Sequence, residues 1–243
     1  MKKIILIITA FICMIGSSTV HAQWGKDKRI TGDGNITTKT IETEAYDIVS
    51  TVGSMKFVLV QGAEGKITVT TDKNLQEYVK IKSGGGVLTV TLENYINYTS
   101  KHGIVITIPV QEISEASLTG SGDLIGKDTF SAKEFTTKLT GSGDITLKVN
   151  AERVYSQLTG SGDITITGST KSFEGKVKGS GDLFATDLTS DSTDITVHGS
   201  GDAEVNATRN LKARITGSGG IIYSGKPVTK DTDVSGSGTI RSF

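Results

Sequence analysis

The chain of 243 residues is predicted to be an all-β protein, a parallel β-helix whose rungs contain about 19–21 residues. Apolar and polar residues alternate along short runs rich in Thr, Val and Ile, which is the pattern of half-buried strands. The tetrapeptide Gly-Ser-Gly-Asp recurs five times between Gly120 and Asp202. Glycine occurs 30 times and proline only twice, so turns are frequent and strands are seldom interrupted.

The repeats define columns of like residues. A drifting period near 20 residues indicates one supersecondary unit per copy. The copies begin at Gly120, Gly141, Gly160, Gly179 and Gly199, with decayed copies at Gly217 and Gly236. Two residues before each copy stands an apolar residue: Leu118, Leu139, Leu158, Val177, Val197, Ile215 and Val234. Such columns favour parallel strands stacked on their own kind over a propeller, whose blades need about 40 residues, or an antiparallel sandwich.

The tetrapeptide itself suggests a corner. On strict alternation both of its glycines would face the core, and its serine and aspartate would face solvent as a ladder. The predicted ladder serines are Ser121, Ser142, Ser161, Ser180 and Ser200. The ladder aspartates are Asp123, Asp144, Asp163, Asp182 and Asp202. These carboxylates are the candidate Ca²⁺ ligands of the chain, or they accept hydrogen bonds from backbone N–H groups in Asx-type turns. Calcium-binding rolls repeat every nine residues, so one aspartate per rung favours turns, and no cofactor is expected.

The N-terminus has the features of a secretory signal. Lys2 and Lys3 precede the apolar run Ile4–Ile15, which is too short to span a bilayer comfortably, and Val20-His21-Ala22 offers a cleavage site. We therefore expect an exported protein without a retained transmembrane segment. The predicted organisation is a signal peptide over 1–22, an N-terminal β portion over 23–115 continuous with the solenoid, and the solenoid over 116–243.

The N-terminal β portion offers its own strand signals. Thr31–Asn35 has the look of a degenerate repeat copy, a helical turn is expected over Asp72–Tyr78, and Glu93–Lys101 is expected to be a loop. The expected strands are Ile36–Ile41, Ala45–Thr51, Met55–Gln61, Lys66–Thr71, Tyr78–Lys82, Val87–Leu92 and Gly103–Ile108.

Composition argues against several classes of function. Lys plus Arg and Asp plus Glu each number 26, so the basic surface that a nucleic-acid partner requires is not expected. The single cysteine, Cys13, lies in the signal, which leaves no thiol chemistry after it. No nucleophile motif, phosphate loop or metal-spaced His cluster appears. Adjacent ladder carboxylates could reach glycosidase spacing, but five equivalent copies indicate structure rather than one active site. We expect no enzymatic activity.

The repeats together with the closing stretches Gly217–Pro227 and Val234–Gly238 resemble the auto-transporter adhesin head GIN domain family over about residues 30–240. The resemblance implies an exported bacterial right-handed parallel β-helix of unknown function. With it we expect a protein of the periplasm, the cell surface or the exterior of a Gram-negative bacterium. It leads us to expect an adhesin-like envelope or surface protein that binds a glycan, cell-wall or protein partner through a regular β-helix face. A β-helix polysaccharide lyase or hydrolase and a calcium-binding structural repeat protein are the alternatives.

Overall fold

The computed structural model describes residues 28–94 and 96–243, so the predicted signal peptide of residues 1–22 lies outside them. The described residues form 20 strands and one short 3₁₀ helix, Lys73–Tyr78. The strands before the repeats are β1 Lys28–Thr31, β2 Ile36–Glu42, β3 Tyr46–Gly53, β4 Lys56–Gln61, β5 Lys66–Asp72, β6 Val79–Gly84, β7 Gly86–Leu92, β8 Ile96–Thr99 and β9 Val105–Val110. The remaining strands are β10 Glu115–Gly120, β11 Asp123–Gly141, β12 Asp144–Gly160, β13 Ile164–Gly179, β14 Leu183–Ala185, β15 Leu188–Gly199, β16 Ala203–Asn206, β17 Asn210–Gly217, β18 Gly220–Ser224, β19 Thr229–Gly236 and β20 Thr239–Ser242.

Eighteen of these strands form one sheet that winds into a β-solenoid of about 7 turns. Because this sheet winds around the core, it has two sides, which we call the upstream sheet and the downstream sheet. In each turn, the strand that ends at the first glycine of a copy belongs to the upstream sheet. The strand that begins near the aspartate belongs to the downstream sheet. The repeat corner, Gly-Ser-Gly-Asp, joins them. The second corner leads back to the next upstream strand and comprises residues 131–134, 150–153, 169–172, 189–192 and 207–210. The predicted parallel β-helix is confirmed.

The apolar columns form the core between the two sheets. In the upstream sheet Leu118 pairs with Leu139, and the column continues in exact register through the successive rungs to Val234. The downstream column consists of the buried residues Leu124, Ile145, Ile164, Leu183, Ala203 and Ile221. Each fully buried Leu, Ile or Val contributes about 1.5–3 kcal/mol relative to an exposed one. Burial of these repeated apolar columns therefore stabilises the stack of rungs.

The N-terminal strands continue the same sheet, as predicted, but they enter it out of order. In the upstream sheet β3 lies between β7 and β10, and in the downstream sheet β4 lies between β9 and β11. The chain thus builds an inner rung from β3 and β4 first, then the outer rung from β7 and β9, and crosses over to β10. Antiparallel strands β5 and β6 pair with the outer strands β9 and β7, and β2 pairs with β5. Glu93–Lys101, expected to be a loop, contains β8, which pairs with β1.

The expectation that Thr31–Asn35 is a repeat copy is wrong. This segment docks instead on the buried carboxylate of Asp72, which accepts hydrogen bonds from the Gly34 N–H at 2.6 Å and the Ser100 hydroxyl at 2.5 Å. The first copy in the stack is Gly53–Lys56, since Gly53 pairs with Gly120 and Lys56 with Asp123. Its third and fourth residues are Met and Lys, so the motif cannot be recognised from residue identities.

The C-terminal rung closes the stack with polar groups. Lys230 and Thr232 occupy the inward columns that carry Leu211 and Ala213 one rung earlier. The Lys230 amine lies 5.8 Å from the centroid of the Tyr223 ring and 3.5 Å from its hydroxyl oxygen. An inward charge on an edge strand discourages the addition of a further strand. The positions of these residues make the last rung a cap on the stack.

Candidate binding surface along the second corner

The first glycine of each repeat corner faces the preceding rung, which corrects the prediction from alternation at that position, whereas the second glycine is buried as predicted and a Cβ at Gly143 would also meet the core side chain of Leu118. The first glycine of each copy has a positive φ, such as +128° at Gly141 and +131° at Gly160. A Cβ added at Gly141 would lie within 3.0 Å of the carbonyl oxygen of Gly120, and one at Gly143 would meet that of Gly122. That same Gly120 oxygen accepts hydrogen bonds from the N–H groups of Ser142 and Gly143, both at 3.0 Å. The rungs can approach closely enough to bond only because neither position carries a side chain.

The ladder aspartates bond from rung to rung. One carboxylate oxygen of Asp144 accepts the N–H of Asp163 at 3.1 Å, and Asp163 accepts the N–H of Asp182 at 3.0 Å. Asp182 accepts the N–H of Asp202 at 2.7 Å, and Asp202 accepts that of Gly220 at 2.6 Å. The sequence predicted backbone N–H groups as the donors to these carboxylates, and the donors are backbone N–H groups. They belong to the next rung, however, and not to the aspartate's own turn. Each bond offsets part of the repulsion between carboxylates stacked about 4.8 Å apart.

The repeat corner brings together all of the predicted ladder residues. Asp123 starts the row by pairing with Asp144, and the serines Ser121, Ser142, Ser161, Ser180 and Ser200 are exposed beside it. In residues 28–94 and 96–243, no group of three or more His, Cys, Asp or Glu side chains is arranged to hold a metal ion. The ladder forms a smooth edge whose backbone groups are already bonded to one another.

The second corner is built differently. The parallel hydrogen-bonded register runs through it, so β11, β12 and β13 each extend from one sheet into the other. The register pairs Ser131 with Asn150 and Asn150 with Ser169, and the Ser169 hydroxyl bonds the Asn150 side-chain oxygen at 3.0 Å. Side chains are accommodated at most positions of this corner, although an added Cβ at Gly168, just before it, would meet the carbonyl oxygen of Val149. The residues can therefore vary from one rung to the next.

Charges of alternating sign run along this corner. The column contains Lys133, Glu152, Lys171, Asp191 and Arg209 on five successive rungs. The Lys171 amine lies 2.9 Å from the Glu152 carboxylate, and the Arg209 guanidinium lies 3.8 Å from that of Asp191. In the adjacent column Arg153 pairs with Glu134. The hydrogen bond from Lys171, with further attraction from Lys133 and Arg153, holds the pKa of Glu152 below its usual range. Each charge is thus compensated by a neighbour on an adjacent rung.

Five concavities follow the second corner, and none of these five includes a residue of the repeat corner. The concavity with the largest volume of the five, about 600 Å³, is lined by Asp47, Glu112, Lys133 and Glu134 and by the buried Ile113. Neighbouring concavities share lining residues with it: Asp47 on one side, and Ala132 and Glu134 on the other. The five concavities therefore form a row along the second corner from Asp47 to Asp231, and we call this row the groove.

The N-terminal end of this groove is fixed by Glu64. Its carboxylate accepts the N–H of Tyr46 at 2.9 Å and that of Gln111 at 3.0 Å, which ties β3 to the segment after β9. The Tyr46 hydroxyl donates to the carbonyl of Pro109 at 2.5 Å. Burial, with a smaller contribution from Glu64, raises the pKa of Tyr46 well above its usual range, so the phenol is neutral and acts as a structural donor.

The groove was not predicted, because its residues do not repeat. The one sequence signal that marks it is the change of charge sign at the repeat period, from Lys133 to Glu152 to Lys171. A search for identical residues, which found the repeat corner, passes over such a column.

Comparison with known proteins agrees with this architecture. A protein of Bacteroides fragilis NCTC 9343 described as a "putative adhesin" superposes with a TM-score of 0.83 at 19% identity, covering 88% of this chain and 100% of its own. A "putative lipid binding protein" of Parabacteroides distasonis ATCC 8503 superposes with a TM-score of 0.73 at 27% identity, covering 89% and 100%. A "putative adhesin" of the same strain has a TM-score of 0.73 at 25% identity, again covering 89% and 100%.

No functionally curated protein matches the chain. Within residues 28–94 and 96–243, the helical structure is too short and too polar to cross a membrane. Residues 45–227 match the family described as "Putative auto-transporter adhesin, head GIN domain". This match spans most of the chain, its repeats and both of its corners, and the chain therefore belongs to that family.

Proposed function

We propose that this chain is an exported, non-enzymatic envelope or surface protein that binds a neutral glycan along the second corner of its solenoid. The observation that carries the proposal is the row of neighbouring concavities there, in which the ion pairs Arg153–Glu134 and Lys171–Glu152 compensate each other's charges. Strands about 4.8 Å apart give a groove that crosses most of the stack a length on the order of 30 Å. Such a length suits an extended polymer better than a small molecule.

The charges of the groove favour a ligand without net charge. Lys171 with Glu152, and Arg153 with Glu134, leave little excess of either sign in the middle of the groove. Its N-terminal concavities, which are lined by Asp47, Glu64 and Glu112, are acidic and disfavour an anionic ligand further. A polyanion would find its carboxylates or phosphates next to Glu134 and Glu152, and a polycation would meet Lys171 and Arg153. A neutral polymer rich in hydroxyls can donate to the carboxylates and accept from the cations at once, in charge-assisted hydrogen bonds.

Protein and lipid partners fit this groove less well. The core of a protein interface is enriched in aromatic residues, Met and Arg, and it is depleted in Lys, Glu, Asp, Ser and Ala. The depleted types dominate the second corner from Ser131 to Arg209. A lipid site in the groove would need a continuous apolar patch there, but none of the exposed large apolar side chains lines the five concavities: Ile36, Phe184, Val228, Val234 and Phe243. The lipid description of one structural relative makes lipid binding an outcome that the test must include.

Hydrolysis of the bound glycan is not part of the proposal. A glycosidase needs a carboxylic acid whose pKa is raised so that it can protonate the leaving group. The two groove carboxyls with displaced pKa values, Glu152 and Asp231, are displaced downward by hydrogen bonds from Lys171 and Arg214. Both groups therefore favour the ionised form, which cannot act as that acid at neutral pH.

The test is a binding survey on the chain beginning at Gln23. Neutral glucans and mannans, anionic polysaccharides such as alginate, and phosphatidylcholine vesicles are compared by affinity electrophoresis and calorimetry. We expect a neutral polysaccharide to bind best. The double variant N150A/S169A removes two groove side chains from adjacent rungs and should weaken binding by roughly tenfold, since neutral hydrogen bonds contribute about 1 kcal/mol each.

The matched control is S142A/S161A, which removes two exposed hydroxyls from the repeat corner. We expect its affinity to equal that of the wild-type chain. The proposal is wrong if this control loses binding while N150A/S169A keeps it, or if vesicles or an anionic polymer bind while every neutral glycan fails.

A further inference from the structure

The concavity of the second corner that lies beside β12 is lined by the half-buried aromatic side chain of Tyr155. Tyr155 lies on β12, and it bounds this concavity of about 150 Å³ together with Thr136, Arg153 and Glu174. In the outward column Tyr155 pairs with Thr136 on the preceding rung and with Glu174 on the following one. Because Thr136 is short, the space beside the phenol ring on that side is left open to a ligand.

The ring is held in place before any ligand arrives. The Tyr155 hydroxyl donates to the Gln157 side-chain oxygen at 2.9 Å. The Lys176 amine lies 5.3 Å from the ring centroid and 2.6 Å from the Glu174 carboxylate. The hydrogen bond with Glu174, reinforced by Tyr155, raises the pKa of Lys176, so this amine keeps its charge and its place. A side chain fixed in this way loses little further entropy on binding.

The polar side chains of Arg153 and Glu174 line the same concavity as the Tyr155 ring. Arg153, paired with Glu134, lies toward the second corner, and Glu174, paired with Lys176, lies toward the next rung. The concavity thus offers one apolar surface inside a rim of hydrogen-bond donors and acceptors. This combination fixes the orientation of a small ring-shaped ligand that is apolar on its face and polar at its edge.

We propose that Tyr155 is a sugar-stacking platform in the groove. One pyranose unit of the glycan lies with its C–H face against the Tyr155 ring, while Arg153 and Glu174 hydrogen-bond its hydroxyl groups. This inference rests on the proposed function and adds to it the place where a single sugar unit makes its most specific contact.

Three variants test the platform with the polysaccharide that binds the wild-type chain best. Tyr155→Ala should weaken binding about tenfold, and Tyr155→Phe, which keeps the ring, should stay within about threefold of wild type. Phe184→Ala removes a partly exposed aromatic residue of the downstream sheet and should leave affinity unchanged. Equal binding by Tyr155→Ala and wild type would overturn the inference.

A direct readout guards against misfolding of Tyr155→Ala. The chain is labelled with 3-fluorotyrosine, and the Tyr155 resonance is assigned in the ¹⁹F spectrum by its loss in Tyr155→Phe. Titration with a neutral oligosaccharide of the bound type should shift this resonance more than that of Tyr223. If the glycan binds and the Tyr155 signal does not move, the platform is wrong and the groove proposal stands. If no glycan binds the wild-type chain, both proposals fail.

Discussion

At the repeat corner the chain turns through Gly-Ser-Gly-Asp on every rung from Gly120 to Asp202, whereas at the second corner no two rungs carry the same residues. The backbone of the first corner comes within hydrogen-bonding distance of the preceding rung, so side chains are excluded at its two glycine positions. The second corner bends while its ladder continues, so side chains are tolerated and can differ. Residues that are identical from rung to rung therefore mark the positions where the backbone geometry tolerates few side chains. Residues that differ from rung to rung mark the positions where a binding surface can form.

The largest effect expected from this comparison is on stability at the repeat corner. Gly160→Ala places a Cβ against the carbonyl of Gly141 at a φ of +131°, which should reduce the free energy of unfolding by about 3 kcal/mol or more. Urea denaturation measures the change. Ser161→Ala on the same corner and Ala151→Ser on the second corner should each stay within about 0.5 kcal/mol of wild type. A mild Gly160→Ala would contradict the close approach of the rungs.

A smaller effect is expected at the aspartate ladder. Asp163→Ala removes the acceptor for the Asp182 N–H and should destabilise the chain by about 1 kcal/mol. Asp163→Asn keeps a side-chain oxygen as acceptor and removes one like charge from the row, so it should be neutral or slightly stabilising. Because the ladder is explained by these bonds, millimolar Ca²⁺ and a chelator should give the same melting temperature. If Ca²⁺ raised the melting temperature by many degrees, the aspartates would be metal ligands and this explanation of the ladder would be wrong.

The smallest effect is expected in the alternating charges of the second corner. Glu152 is exposed, so Glu152→Gln should cost little and the loss should fade in high salt. The pKa of Glu152 is lowered in the folded chain, so its contribution is complete above the unfolded value near 4.3 and disappears as pH falls through the lower folded value. The difference in melting temperature between Glu152→Gln and wild type should therefore be constant from pH 8 to about pH 5 and vanish in stronger acid. A difference that changes between pH 6 and 8 would contradict this assignment.

The periodic part of the fold was open to prediction because its physics is local and repeated. Leu118, Leu139 and Leu158 recur at the rung period, and a column of that kind can be buried only by stacking in register. The N-terminal strands were also placed nearly correctly from alternation. Their order in the stack was not, because pairing of β3 with both β7 and β10 depends on contacts between segments far apart in the chain.

The errors have a common source. Thr31–Asn35 has the residues of a corner but binds the distant carboxylate of Asp72, while Gly53–Lys56 has the geometry of a corner without its residues. The prediction from strict alternation that both corner glycines face the core also failed at Gly141, because alternation does not continue through a residue with positive φ. In each case a contact between rungs overrode a pattern within one rung.

The sequence by itself determined that this protein is a stack of like rungs, where its repeated corner lies, and which column residues form the core. These properties follow from periodicity, which a linear chain displays directly. Only the tertiary structure decided that the aspartates bond to the next rung, that β3 and β4 insert inside β7 and β9, and that the concavities follow the second corner. Those properties depend on what lies one rung above or below, about 20 residues away in sequence and about 4.8 Å away in space.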